Sequence, residues 1–183
     1  MNEIMPIDLA PGEHIPMSWE EYESLGPEIR GEYIAGEFIM SPLPSGRHQD
    51  ACLILADKLR STVPAGIGVR LSWGWKPGDD EFGPDVMVFD RTDEDVRYTG
   101  IPHLCVEVLS TDRGADLVRK FARYAEAGLP RYWVVDLAIP EIIVFELGEG
   151  GGYRAVARLG GYQTATLDIG PAQVTLSPAE LLG

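Results

Sequence analysis

Cysteine is scarce in this chain: Cys52 and Cys105 are the only two in 183 residues. Two are too few for a disulfide framework or a cysteine-built zinc site. Both fall in apolar patterns typical of buried reduced thiols, so neither is given a chemical role. Long apolar runs are missing as well. No stretch approaches the roughly 20 residues that span a bilayer, and the opening Met1-Asn2-Glu3-Ile4-Met5-Pro6 lacks the basic and apolar regions of a signal peptide. The expected location is the cytoplasm, with no membrane partner. Positive charge is short too: 15 Lys and Arg face 29 Asp and Glu, a net charge of −14. Such a surface repels polyanions and argues against a nucleic-acid partner, unless some of the acids are clustered for a metal that neutralises them.

What is present suits a soluble globular protein: 45% apolar and 24% charged residues give enough hydrophobicity to build a core. The length fits one domain of ordinary size. Residues 1–14 are expected to form a flexible lead, rich in Pro and Gly at its end, and residues 15–183 a single domain.

Ser18-Trp19-Glu20-Glu21 has the form of a capping box and predicts a short helix to about Leu25. Glu32 to Met40 reads as two short strands about a turn at Ala35-Gly36. Ala51, Cys52, Leu55, Ala56 and Leu59 have helical spacing within 48–61, stopped by Pro64 and Gly66. Ile67, Val69, Leu71, Trp73 and Trp75 alternate with polar or small residues and predict one half-buried antiparallel strand. Asp85 to Phe89, Leu104 to Leu109 and Tyr132 to Asp136 are short apolar runs of the kind that form buried strands, and 112–128 reads as a helix between the last two. Glu141 to Leu147 returns as a further strand after Pro140. A strand, helix, strand crossover thus lies at the centre of an α/β mixed sheet. The tail offers an alternating strand from Tyr153, two weak strands around Thr166 and Val174, and a capped turn at Ser177 to Glu180.

Chemistry is concentrated between Gly83 and Tyr124. Glu107 stands in the middle of the apolar run Leu104-Cys105-Val106-Glu107-Val108-Leu109, and a carboxylate buried without compensation costs several kcal/mol. A divalent metal shared with Asp85, at the mouth of the preceding strand, would compensate it. Hard oxygen ligands suit Mg²⁺ or Mn²⁺, which keep waters and accept a substrate phosphate. Lys120, on the helix that also carries Asp112 and Asp116, could hold the attacking water or stabilise charge developing on the phosphate. The ordinary alternatives are a turn aspartate for Asp85 and an exposed ion pair with Asp116 for Lys120.

The ordered series Pro84-Asp85, Val106-Glu107-Val108-Leu109-Ser110, Asp116, Lys120, Tyr124, Gly128 and Tyr132-Trp133-Val134-Val135-Asp136 resembles the Uma-type restriction endonuclease family of the PD-(D/E)XK nuclease superfamily. Upstream, Glu32-Tyr33-Ile34-Ala35-Gly36-Glu37 is similar to that family's N-terminal hairpin, and His48 opens the helix that follows. The resemblance covers most of residues 15–147. It implies a restriction-endonuclease-like mixed central β-sheet flanked by helices, a divalent metal on Asp85 and Glu107, and Glu32 as a further acidic member. The superfamily's usual lysine position, two residues after the strand carboxylate, is Leu109 here, and the role is carried to Lys120. His48 could touch a phosphate, although a histidine at a helix start is more often a cap or a surface residue.

These readings lead to a Mg²⁺-dependent endonuclease acting on DNA. A non-catalytic scaffold that keeps the fold and a metal-dependent hydrolase of a smaller phosphate ester are the rivals. Arg47, Arg70, Lys76, Arg113, Arg119 and Arg123 are the cations expected near the site. A homodimer is compatible with the task, because a lone sheet of this size cannot grip both strands of a duplex symmetrically.

Overall fold

The computed structural model describes residues 12–26, 29–109 and 114–183. Most of the lead expected over 1–14, Asp112, Arg113 and the side chain of Asp116 lie outside the described residues.

His14–Pro16 (β1) opens a small sheet and Trp19–Ser24 (α1) follows it. The capping box read from the sequence closes α1: the Ser18 hydroxyl accepts the Glu21 N–H, and the Glu21 carboxylate accepts the Ser18 N–H. Gly31–Ile34 (β2) and Glu37–Met40 (β3) make the expected hairpin, with β1 on the far side of β3. Its two turn residues, Ala35 (φ 56) and Gly36 (φ 79), are both left-handed, as a tight two-residue hairpin with the strand twist requires. Gly46–Thr62 (α2) starts at Ser45, whose side chain accepts the His48 N–H, and buries His48, Ala51, Cys52, Leu55, Ala56 and Leu59.

The period-two run after Gly66 is not one strand: Ile67–Leu71 (β4) and Gly74–Trp75 (β5) are separated at Ser72, which has φ 47. A left-handed residue breaks the pleat. Beyond it β5 leaves the central sheet. Val86–Asp90 (β6) pairs with β4, while β5 pairs in parallel with Arg97–Tyr98 (β7).

Leu104–Leu109 (β8), Gly114–Glu126 (α3) and Arg131–Asp136 (β9) form the predicted crossover. Glu141–Leu147 (β10) and Tyr153–Gly160 (β11) complete a six-stranded sheet of order β11-β10-β9-β8-β6-β4, in which β8 and β9 alone are parallel. The fold is therefore α/β with a mixed central sheet. Ala165–Asp168 (β12) and Gln173–Leu176 (β13) form a hairpin, followed by a 3₁₀ turn over Pro178–Leu182.

The middle strands are apolar on both sides because both sides are covered. Val86, Val88, Leu104, Val106, Val108, Trp133 and Val135 belong to one core with α2 and the C-terminal hairpin. Met87, Phe89, Cys105, Tyr132 and Val134 belong to another with Trp75, Phe82 and Tyr124. Glu107 shares the side of Cys105, two residues earlier, and so enters the second, aromatic core. Among the described residues no helix is long and apolar enough to cross a membrane.

Candidate active site

Four segments bring five chemically active side chains to one cleft of about 860 Å³. β2 contributes Glu32, and α2 contributes His48 and Cys52 one turn apart. Asp85 comes from the residue before β6, and Lys120 from α3; all five line the wall. Pro84 fixes the chain direction just ahead of Asp85. The antiparallel register Val86↔Val106 carries back one step to set Asp85 opposite Glu107, and directly opposed residues share a face. Glu107 lies beneath the wall and is 4% exposed. Glu32, Asp85, Glu107 and Lys120, separated by up to 88 positions in sequence, are thus brought together, all buried.

On one side the charges are interlocked. Lys120 Nζ lies 2.9 Å from Glu32 Oε1 and donates to Glu107 Oε1 at 3.1 Å. Tyr124, one turn after Lys120, donates its O–H to the same Glu107 oxygen at 2.7 Å. The Gly83 N–H donates to Glu32 Oε1 at 2.6 Å, tying β2 to the loop that carries Asp85. Trp75, Phe82 and Tyr132 surround the Tyr124 ring with centroids at 5.3, 4.9 and 5.1 Å and hold the hydroxyl on its target. The charge that a metal was expected to compensate is therefore met, in part, by Lys120 and Tyr124.

That compensation is incomplete. Burial pushes Glu107 up to about 7; the ammonium of Lys120 opposes the rise, while the carboxylates of Asp85 and Glu32 add to it. Lys120 is itself raised, because the two glutamates outweigh the burial that disfavours its charge. The two shifts have one origin: three carboxylates, Glu32, Asp85 and Glu107, share one ammonium.

On the other side the contacts are open. Asp85 Oδ2 accepts the Val108 N–H at 2.8 Å. His48 Nε2 lies 3.2 Å from the same oxygen but out of line for a hydrogen bond, and this buried nitrogen has no other partner. Burial alone would raise Asp85; the nearby imidazole, the Val108 N–H and the ammonium of Lys120 outweigh it and hold the carboxyl below its ordinary value. Cys52 Sγ stands 3.7 Å from His48 Nδ1. His48 is buried, neither a surface residue nor a side-chain cap, which corrects the sequence reading, whereas Cys52 is the buried reduced thiol expected. The signal was the spacing, since a histidine and a cysteine four apart lie on one helix face.

The cations expected near the site are largely committed elsewhere. Arg47 donates to the Leu137 carbonyl at 2.7 Å. Arg70 lies 3.9 Å over the Trp73 ring, and Lys76 3.8 Å over that of Trp19. Arg119 is paired with Glu37 at 2.9 Å, and Arg123 with Asp80 at 3.5 Å. Arg30, on the exposed rim of the cleft, makes no side-chain ion pair among the described residues.

A mixed sheet flanked by helices, with an acidic cluster and a lysine at the end of its middle strands, defines a restriction-endonuclease-like protein. Residues 19–179 match the Uma2 family, described as "Putative restriction endonuclease", and the chain belongs to that family. A solved structure of a putative nuclease belonging to DUF820 from Anabaena variabilis ATCC 29413 superposes with a TM-score of 0.76 at 20% identity, over 91% of this chain and 98% of that one. It shares the fold. No curated protein matches.

Proposed function

We propose that residues 15–183 act as one nuclease domain, a cytoplasmic Mg²⁺- or Mn²⁺-dependent endonuclease that hydrolyses phosphodiester bonds in DNA. The observation that carries the reading is three buried carboxylates gathered around a single ammonium beside an open cleft, a surplus of acid that a divalent cation would balance. The donor set fits such an ion: Asp85 and Glu107 face each other across two strands and offer hard oxygens, with Glu32 close by. A bound divalent cation would supply Lewis acidity toward the phosphate and lower the pKa of an attacking water.

The chain's own residues do the rest. Glu32, fixed by the Gly83 N–H, holds Lys120 from the side of the cleft, and Glu107 holds it from below. That pairing aims the ammonium at the place where negative charge develops on the phosphate, an interaction stronger in the transition state than in the ground state. Asp85, kept ionised, is ready to ligate without first losing a proton. Tyr124 keeps Glu107 in place. A homodimer would offer one cleft to each strand of a duplex.

A metal-dependent hydrolase of a smaller phosphate ester is the second reading. It is favoured by Arg47, Arg70, Arg119 and Arg123, which are engaged within the fold and leave Arg30 as the unpaired cation on the rim among the described residues. The deciding experiment is cleavage of plasmid DNA, single-stranded DNA and bis(p-nitrophenyl) phosphate with Mg²⁺, Mn²⁺ or EDTA. Metal-dependent nicking of DNA that is lost in Asp85→Ala supports the nuclease. Turnover of the small ester alone selects the second reading, and inertness toward all three selects a scaffold.

A further inference from the structure

We infer that His48, Cys52 and Asp85 form a second, softer cation position that takes Zn²⁺. It shares Asp85 with the hydrolytic site, so bound zinc excludes the hydrolytic metal; that last consequence rests on the proposed function, whereas zinc binding itself does not. One potential ligand atom from each of the three residues lies within 4.8 Å of the others. A single zinc takes one ring nitrogen. His48 Nε2, 3.2 Å from Asp85 Oδ2, is that nitrogen, and this separation is close to that between ligands on a tetrahedral zinc with bonds of about 2.0 to 2.3 Å. Cys52 Sγ approaches the other edge of the ring, 3.7 Å from Nδ1, and reaches the ion by rotation of its side chain.

The independent sign is the His48 nitrogen. It is buried and lies 3.2 Å from the Asp85 carboxylate without the alignment of a hydrogen bond. A buried polar atom without a hydrogen bond is destabilising, and an imidazole nitrogen is satisfied equally well by a proton donor or by a metal. Two ligands one turn apart on α2 need no loop closure to meet the ion. The N-terminus of that helix is fixed by Ser45, whose hydroxyl accepts the His48 N–H at 3.2 Å.

The chemistry of the third ligand decides which ion binds. A thiolate is a soft donor that favours Zn²⁺ or Co²⁺ and has little affinity for Mg²⁺. On binding, the Cys52 thiol releases its proton to solvent and the sulfur ligates as the thiolate. Three protein ligands on a cleft wall leave the fourth position open, the arrangement of a zinc that holds water or substrate rather than one that only staples the fold. The ordinary alternative is that Cys52 fills space in the core beside Leu55 and Ala56, and it predicts no metal signal.

The test uses the full chain, reduced and metal-free, titrated with Co²⁺ in the absence of nucleic acid. Binding through Cys52 gives a near-ultraviolet sulfur-to-cobalt charge-transfer band together with strong visible bands of four-coordinate cobalt. Zn²⁺ should abolish both at stoichiometric addition, and Mg²⁺ in large excess should not. Cys52→Ser and Cys52→Ala should each lose the charge-transfer band, His48→Gln should weaken it, and Cys105→Ala should retain it. Cobalt spectra without a charge-transfer band, or a band that survives in Cys52→Ser, overturn the site. DNA cleavage with Mg²⁺ but no band would sink this inference and leave the nuclease standing; a band in a protein that cleaves nothing would do the reverse.

Discussion

Around Lys120 nearly every polar contact is closed: Glu32 is held by Gly83 and the ammonium, and Glu107 by the ammonium and Tyr124. Around His48, across the same cleft, Asp85 is tied by one backbone N–H and the imidazole nitrogen beside it is bonded to nothing. Both clusters are buried to a similar degree. They differ in whether the fold alone satisfies them. A polar group satisfied within the chain rigidifies the scaffold, whereas a buried one left open is stable only because its surroundings are over-determined, and it waits for a ligand.

The comparison can be broken most severely at Lys120. Lys120→Met removes the one ammonium among three carboxylates, and breaking a buried charge pair costs about 3–5 kcal/mol. Urea unfolding of the metal-free protein should show a loss of that size, with Mn²⁺ recovering more stability in the variant than in wild type. An unchanged midpoint would mean that the ammonium balances nothing.

Glu107→Gln sharpens the contrast by separating charge from shape. In wild type the folded carboxyl titrates at about 7 against 4.5 for the free side chain. Its contribution is therefore fully present below pH 4.5 and is lost as the pH rises through 7, on the order of 3 kcal/mol for a shift of this size. The glutamine variant lacks that loss, so melting at pH 5 and pH 8 should show it gaining on wild type only at the higher pH. A deficit that grows toward pH 8 would reveal a carboxylate stabilised by its partners after all.

Tyr124→Phe trims the closed cluster by one donor, and a hydrogen bond to a charged group is worth about 1.5–3 kcal/mol. The lower end is expected because Lys120 still reaches the same oxygen; urea unfolding at pH 8, where Glu107 is ionised, measures it. Ala35→Gly lies outside both clusters, in the hairpin that delivers Glu32. Relief of the left-handed alanine, less the greater chain entropy of glycine, should raise stability by about 0.5 kcal/mol. A change in cobalt or manganese binding in this variant would show the hairpin to be less independent than its contacts suggest.

Much of the architecture was legible because local signals agreed with the global fold. Ser18 and Glu21 announced a capped helix, Ala35-Gly36 a hairpin, and the apolar runs ending at Leu109 and Asp136 the parallel pair with a helix between. Ser72 was not legible, since nothing in an alternating pattern reveals that a serine has turned left-handed and taken Trp75 out of the sheet. Glu107 drew attention because a carboxylate in an apolar strand needs a partner, and that argument uses sequence alone. Which partner meets it was beyond the sequence: Lys120 looks like a surface lysine until α3 is seen to lay it between two acids. His48 and Cys52 were passed over for a related reason. Their spacing puts them on one helix face, but only the fold shows that the face turns toward Asp85.

The crossover helix has a consequence for the order in which the molecule comes into being. Glu32, Asp85 and Glu107 all precede Lys120 in the chain, so synthesis from the N-terminus produces three acids before their counter-ion. A nascent chain that ends at Leu109 has no ammonium to draw β2 onto β8, and its carboxylates are best kept apart in water. The contacts from Lys120 to Glu32 and Glu107 span 88 and 13 positions, and closing the longer one requires the loops between to be organised first. Truncated or stalled chains therefore carry the acids without the cleft. Whatever chemistry the protein performs begins only when α3 docks.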